Sequence, residues 1–149
     1  MIIAVATDHA GFPLKKPILE ILKRNGFKTL DLGTDDKHSV DYPDYAVKLG
    51  KLIQEGKVDR GVLLCGSGVG ASVAANKMKG IYAGVCHDTY SAHQAVEHDN
   101  VNVLCLGARV IGEEVAKAIV LVFASAQFSN EKRHVRRIMK IKRIENGEG

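Results

Sequence analysis

Apolar residues arrive in five short runs along the chain, at positions 2–6, 27–32, 58–64, 81–86 and 101–106, and each run is followed within a few residues by glycine or aspartate. Runs of this length bounded by turn formers read as buried β-strands. Between them apolar positions recur at helical spacing, predicting helices over about 13–25, 41–56, 70–78, 89–97 and 112–124, with a sixth over about 131–144. Pro13 suits a first helical turn and Gly26 a C-cap, while Asp41-Tyr42-Pro43 opens the second helix and Gly56 closes it. Pro17 breaks the pattern, because it removes a ladder hydrogen bond just beyond the free first turn. Strands alternating with helices imply an α/β domain with a five-stranded parallel sheet covered on both faces, followed by an amphipathic C-terminal helix.

Composition narrows this picture. At 149 residues the chain is expected to form a single domain, 1–149, and its 46% apolar content with only 5% aromatics suits Val/Ile/Ala-rich strands better than a β-sandwich. The first strand starts almost at the N-terminus, with no basic segment, long apolar run or small-residue cleavage site around it, so a soluble cytoplasmic protein without membrane contact is expected. Cys65, Cys86 and Cys105 lie in or at the end of apolar runs, and their odd number argues for reduced thiols. The net charge of +4 comes largely from positions 132–143. No aromatic residue interleaves with those charges and no reading motif accompanies them, so no nucleic-acid partner is expected.

In open parallel sheets ligands bind where strands end at their carboxyl side, so the residues following each strand carry the functional question. Thr7-Asp8-His9-Ala10-Gly11 follows the first, His87-Asp88 the fourth and Gly107-Ala108-Arg109 the fifth. After the third comes Cys65-Gly66-Ser67-Gly68-Val69-Gly70, a cysteine followed by a glycine turn into a helix. Such a turn aims backbone N–H groups at one small volume, which suits negative charge and favours a thiolate. Singly, each residue has a plainer reading: Cys65 as a buried strand end, Asp8 as a helix cap, His9 and His87 as solvated loop residues. Their convergence on one rim does not follow from packing. His98, by contrast, precedes a strand and enters from the opposite end.

Three competing readings of the turn fail on the letters. A dinucleotide fingerprint would need its acidic partner after the next strand, a thiol phosphatase would need arginine where Ala71 stands, and no Cys or His pair has metal-ligand spacing. No metal or cofactor is expected. On the last helix Val135, Ile138 and Met139 fall on one side of the wheel, with Arg133, Arg137 and Lys140 on the other. Arg133 and Arg137, four apart, can grip one phosphate.

Taken in order, Thr7 to Gly11, Asp41-Tyr42-Pro43, Cys65 to Gly70, Ala74-Ala75-Asn76-Lys77, Tyr90-Ser91-Ala92, His98-Asp99-Asn100, Asn102-Val103-Leu104, Gly107-Ala108-Arg109 and Arg133 to Arg137 resemble the ribose-5-phosphate isomerase B family over nearly the whole chain. The resemblance implies a three-layer α/β/α Rossmann-like domain. It further implies a phosphorylated sugar substrate and a homodimer or dimer of dimers with active sites between subunits, so that His98 and Arg109 reach the neighbouring chain's site. By the same resemblance Cys65 is the base of an aldose–ketose isomerisation, with the amides of Gly66, Gly68, Val69 and Gly70 stabilising an enediolate. Ser67 bonds a sugar oxygen, His98 opens the ring, and Asp8 orients hydroxyls or assists that opening. His9, Arg109, Arg133 and Arg137 hold phosphate, while Tyr42, Asp99 and Asn100 complete substrate binding. Two departures stand out: some relatives carry a glutamate base where this chain has Ala71, and many have Asn where it has Asp99. A six-carbon aldose 6-phosphate is the alternative substrate, and a non-catalytic nucleotide-binding module the alternative class.

Overall fold

The computed structural model describes residues 1–149. Its elements alternate as β1 (Ile2–Thr7), α1 (Phe12–Arg24), β2 (Lys28–Asp31), α2 (Tyr42–Gln54), β3 (Arg60–Cys65), α3 (Val69–Ala75), β4 (Ala83–Val85), α4 (Thr89–Asp99), β5 (Val103–Gly107) and α5 (Glu113–Ser125), with α6 (Lys132–Glu145) closing the chain. All five strands are parallel, in the order β2-β1-β3-β5-β4. Right-handed crossovers dictate where each helix goes. The chain steps one way from β1 to β2 and back the other way from β2 to β3, so α1 and α2 fall on opposite faces. The result is the three-layer α/β/α Rossmann-like arrangement.

Both faces of the three inner strands, β1, β3 and β5, are buried, which explains why their runs read as continuous rather than alternating. Ile3, Val5, Val62, Leu64, Leu104 and Leu106 meet Leu14, Ile18 and Leu22 of α1 together with the inner sides of α4 and α5. On the other face Ala4, Ala6, Leu63, Cys65, Val103 and Cys105 meet Ala46 and Leu49 of α2 and Ala71 and Ala75 of α3. The small side chains on this second face let α2 and α3 approach closely.

Several predicted boundaries shift. β4 pairs over only three residues, and side chains replace its ladder: Asn76 bonds both the N–H and the C=O of Ala83, and Asn102 accepts the Tyr82 N–H. The helix predicted over 70–78 runs from Val69 to Ala75. Helix α1 continues through Pro17, held by the burial of Leu14, Ile18 and Leu22 against the sheet. No helix is long and apolar enough to cross a membrane.

Helix α6 departs from the predicted wheel. It buries His134 and Ile138, one turn apart, while Val135 and Met139 stay exposed. The cause is its docking on α4, where the His134 ring stacks on that of His98 with centroids 4.1 Å apart. His134 is 1% exposed, and its Nδ1 lies 2.6 Å from the Ser129 hydroxyl. Burial, then His98 and Arg133, hold its pKa below the usual 6.5. The sign follows directly: the unfolded chain takes up this proton more readily than the folded one, so the contribution to stability is complete above about 6.5 and is lost as pH falls through the lower folded value. Thermal midpoints should therefore drop more in the native protein than in His134→Gln between about pH 7.5 and about pH 5.5. Equal drops would refute this account.

Candidate active site

The opposite departures of the chain from β1 and β3 open a crevice at their carboxyl ends, the place where such sheets bind ligands. A cavity of about 360 Å³ lies there, and its lining brings together Asp8, His9, Tyr42, Cys65, Gly66, Ser67, Gly70 and Arg109. It adjoins a second cavity that shares Asp8, His9 and Tyr42 and extends along Ser39 to Asp44.

Asp8 is almost fully buried. Its Oδ1 accepts the N–H groups of Ala10 and Gly11, both at 3.0 Å, so the carboxylate caps the turn into α1. The cap and the cavity wall are the same residue: Oδ2 makes no bond within the chain. The ring of His9 accepts the Val40 N–H at Nδ1, 3.1 Å away, which in the neutral imidazole places the hydrogen on Nε2.

Cys65 ends β3, and the glycine turn begins beside it. Gly68 adopts φ +82°, a conformation that side-chain-bearing residues rarely take, and this sends its N–H back to the Cys65 Sγ at 3.0 Å. The Ser67 hydroxyl accepts the Val69 N–H, while the N–H groups of Gly66, Ser67 and Gly70 have no acceptor within the chain. The turn thus presents one sulfur beside unengaged main-chain donors. Tyr42 lies across Gly70, its phenol ring occupying the space a side chain there would need. Position also separates the three thiols. Cys65 opens into the cavity, whereas burial pushes the pKa of Cys86 and Cys105 upward.

Arg109 follows β5, and its guanidinium packs against Gly66, with the Arg109 N–H donating to the Gly66 carbonyl at 3.0 Å. The structure therefore places Arg109 in its own chain's cavity, correcting the expectation that it reaches across to a neighbour. Ala71, in the first turn of α3, is buried against the sheet and leaves no carboxylate at that position beside the thiol.

His98, Asp99, Asn100, Arg133 and Arg137 are not part of this cavity. They gather instead where α4 meets α6. His98 Nδ1 lies 3.1 Å from the Gln94 amide, and Asn100 caps α4 in the left-handed conformation at φ 52°. Arg133 pairs with Glu131 at 2.9 Å, and both Arg133 and Arg137 face solvent. His134 belongs to this group and escapes the sequence reading, because a wheel scored on apolar residues alone passes over a buried histidine one turn from Ile138. No group of three or more His, Cys, Asp or Glu side chains is placed to hold a metal ion.

A family model described as Ribose/Galactose Isomerase matches residues 3–141. The chain is 44% identical over 143 residues to ribose-5-phosphate isomerase B of Escherichia coli K12, covering 96% of this chain and 95% of that protein. Ribose-5-phosphate isomerase B of Clostridium thermocellum superposes with a TM-score of 0.95 at 42% identity, covering all of both chains. The Mycoplasma genitalium enzyme, solved with bound ribulose-5-phosphate, gives 0.90 at 42% identity and covers 97% of this chain and 96% of its own. With a family model spanning nearly its full length and relatives of this identity, the chain belongs to the ribose/galactose isomerase family.

Proposed function

We propose that the protein interconverts ribose 5-phosphate and ribulose 5-phosphate, as a single catalytic unit over residues 1–149 in the cytoplasm. The observation that carries this reading is the cavity at the ends of β1 and β3, where one thiol meets a turn of unengaged N–H donors. The relative solved with ribulose-5-phosphate supports the choice of sugar. Three free thiols fit a reducing compartment.

Moving a carbonyl between C1 and C2 requires taking a proton from the carbon beside it, holding the enediolate, and returning the proton to the neighbouring carbon. Cys65 as thiolate takes the C2 proton of the open-chain aldose and gives it back to C1. The amides of Gly66, Ser67 and Gly70 stabilise the oxyanion, and a well-placed donor of this kind is worth about 3–4 kcal/mol in other enzymes. The Ser67 hydroxyl moves the proton between O1 and O2. The free Oδ2 of Asp8 orients sugar hydroxyls, and His9 donates from Nε2 toward the substrate.

Ring opening and a full grip on the phosphate need groups beyond those of this cavity. We assign them to a second copy of the chain: His98 for opening the ring, Asp99 and Asn100 for hydroxyls, Arg133 and Arg137 for phosphate, joined by Arg109 from the first copy. Exposed Val135 and Met139, one turn apart on α6, give that copy an apolar strip to meet. The assembly is then a homodimer, or a dimer of dimers, with shared sites.

Three measurements test the reading. Ribose 5-phosphate incubated with the protein in heavy water should return aldose labelled at C2. Cys65→Ala should abolish the label, with kcat down about 1,000-fold or more, while Cys105→Ala loses stability by about 1–2 kcal/mol and keeps its turnover. Full activity in Cys65→Ala would remove the base assignment, and turnover confined to six-carbon phosphates would replace the substrate. Arg133→Ala and Arg137→Ala should each raise KM about 10-fold or more for the phosphorylated sugar, with little effect on kcat. Inactive Cys65→Ala and inactive His98→Ala, mixed and allowed to exchange subunits, should regain about a quarter of native activity, since half the dimers are then mixed and each carries one complete site. No recovery despite proven exchange would place His98 and Cys65 in the same chain's site.

A further inference from the structure

The loop after β4 carries a histidine that the chemistry above does not use. His87 is half-buried and lies outside the cavity. Its Nε2 accepts the N–H of Gly107 at 2.9 Å. An imidazole accepting through Nε2 is neutral and carries its hydrogen on Nδ1; a protonated ring would meet the amide with a second donor.

The partner of this bond gives it meaning. The β4–β5 ladder ends with Val85 opposite Cys105, two residues short of Gly107. His87, two residues past Val85, supplies from its side chain the acceptor that a longer strand would have supplied from its backbone. Gly107 sits directly against the cysteine turn: it pairs in register with Cys65, and a methyl group on it would lie 2.6 Å from the Ser67 carbonyl carbon. The next two N–H groups, of Ala108 and Arg109, donate to the carbonyls of Cys65 and Gly66 at 2.9 and 3.0 Å. The 107–109 segment is thus a buttress, with the His87 ring behind it and the base, the Ser67 hydroxyl and the Arg109 guanidinium in front.

We propose that His87 is a positioning residue for the isomerisation, holding Gly107 so that Cys65 and Ser67 keep their mutual geometry. This rests on the isomerase reading above. His87 touches no substrate atom in this scheme, so its loss misaligns the reacting groups without removing any of them, and displacements of this kind act on kcat rather than on binding.

The comparison is between His87→Leu, which fills space but accepts no hydrogen bond, and His87→Gln, whose Oε1 reaches the position of Nε2. His87→Leu should lower kcat about 10- to 100-fold with KM within about twofold, and His87→Gln should return kcat to within about threefold of native. Native kcat in His87→Leu, or a folded His87→Gln as slow as His87→Leu, would overturn the proposal. Where His87→Leu fails to fold, His87→Gln decides alone: turnover near native supports the acceptor role, and a folded but slow variant overturns it. A second readout needs no sugar. Iodoacetamide modification of Cys65, followed by peptide mass spectrometry, should speed up about threefold or more in His87→Leu as the loosened turn uncovers the thiol, and return to the native rate in His87→Gln. An unchanged rate in His87→Leu would also overturn the inference. A native protein that fails to turn over the sugar refutes the isomerase reading itself, and the alkylation rates then still judge the buttress.

Discussion

The chain leaves β1 toward one face of the sheet and β3 toward the other, and the chemistry of the molecule depends on that divergence. Right-handed crossovers allow no other placement of α1 and α3 for this strand order. The crevice between the two strand ends is therefore obligatory, and it puts Asp8 and His9 across from Cys65 without any dedicated loop. What remains is local. A strand that ended in an ordinary turn would carry the Gly68 N–H away from the sulfur, and the left-handed conformation at Gly68 turns it back to 3.0 Å.

Three cysteines of one chain illustrate how position rather than residue type assigns a role. Cys105 lies mid-strand with no solvent access, and desolvation disfavours its thiolate strongly. Cys86 is buried just past β4 and is pushed the same way. Cys65 stands on the last position of β3, close enough to the core to be held rigidly and far enough along the strand to meet the cavity. Moving the thiol two residues back, to the place of Leu63, would put it in the packed face between the sheet and α2.

The layering and much of the crevice were legible in the letters because they depend on local rules. Strand runs buried on both sides are continuous, turns need glycine or aspartate, and catalytic side chains in such sheets follow the strands. Which helix covers which face was not legible, since that depends on strand order. β4 was overread because Ile81 and Cys86 are apolar, as strand residues are, yet they lie outside the ladder, and side chains of Asn102 and Asn76 serve the backbone of Tyr82 and Ala83 between them. α6 was misread for a similar reason. Apolar periodicity ranked Val135 and Met139 as its inner side, whereas a stacked histidine pair sets the docking and turns those residues outward. His98 itself could be named from its neighbours, but its distance from the thiol's cavity is a property of the folded chain.

In the proposed assembly, a cavity finished by a second copy ties substrate affinity to association. A phosphate held by Arg133 and Arg137 of one chain, on a sugar held by Cys65, Ser67 and Asp8 of another, would bind the associated state more tightly, and saturating substrate would stabilise association by up to RT ln(1 + [S]/Kd), about 2.7 kcal/mol at a hundredfold excess over Kd. The reverse holds equally, and a dissociated chain would keep a base, an oxyanion turn and Arg109 but lose the arginine pair for the substrate's charged end. Dilution would then remove activity through affinity before it touched the chemistry of the thiol. The distribution of charge fits this division: the arginines of the basic helix α6 lie on an exposed surface, Arg133 paired only with the exposed Glu131, and a substrate phosphate would add a partner common to Arg133 and Arg137.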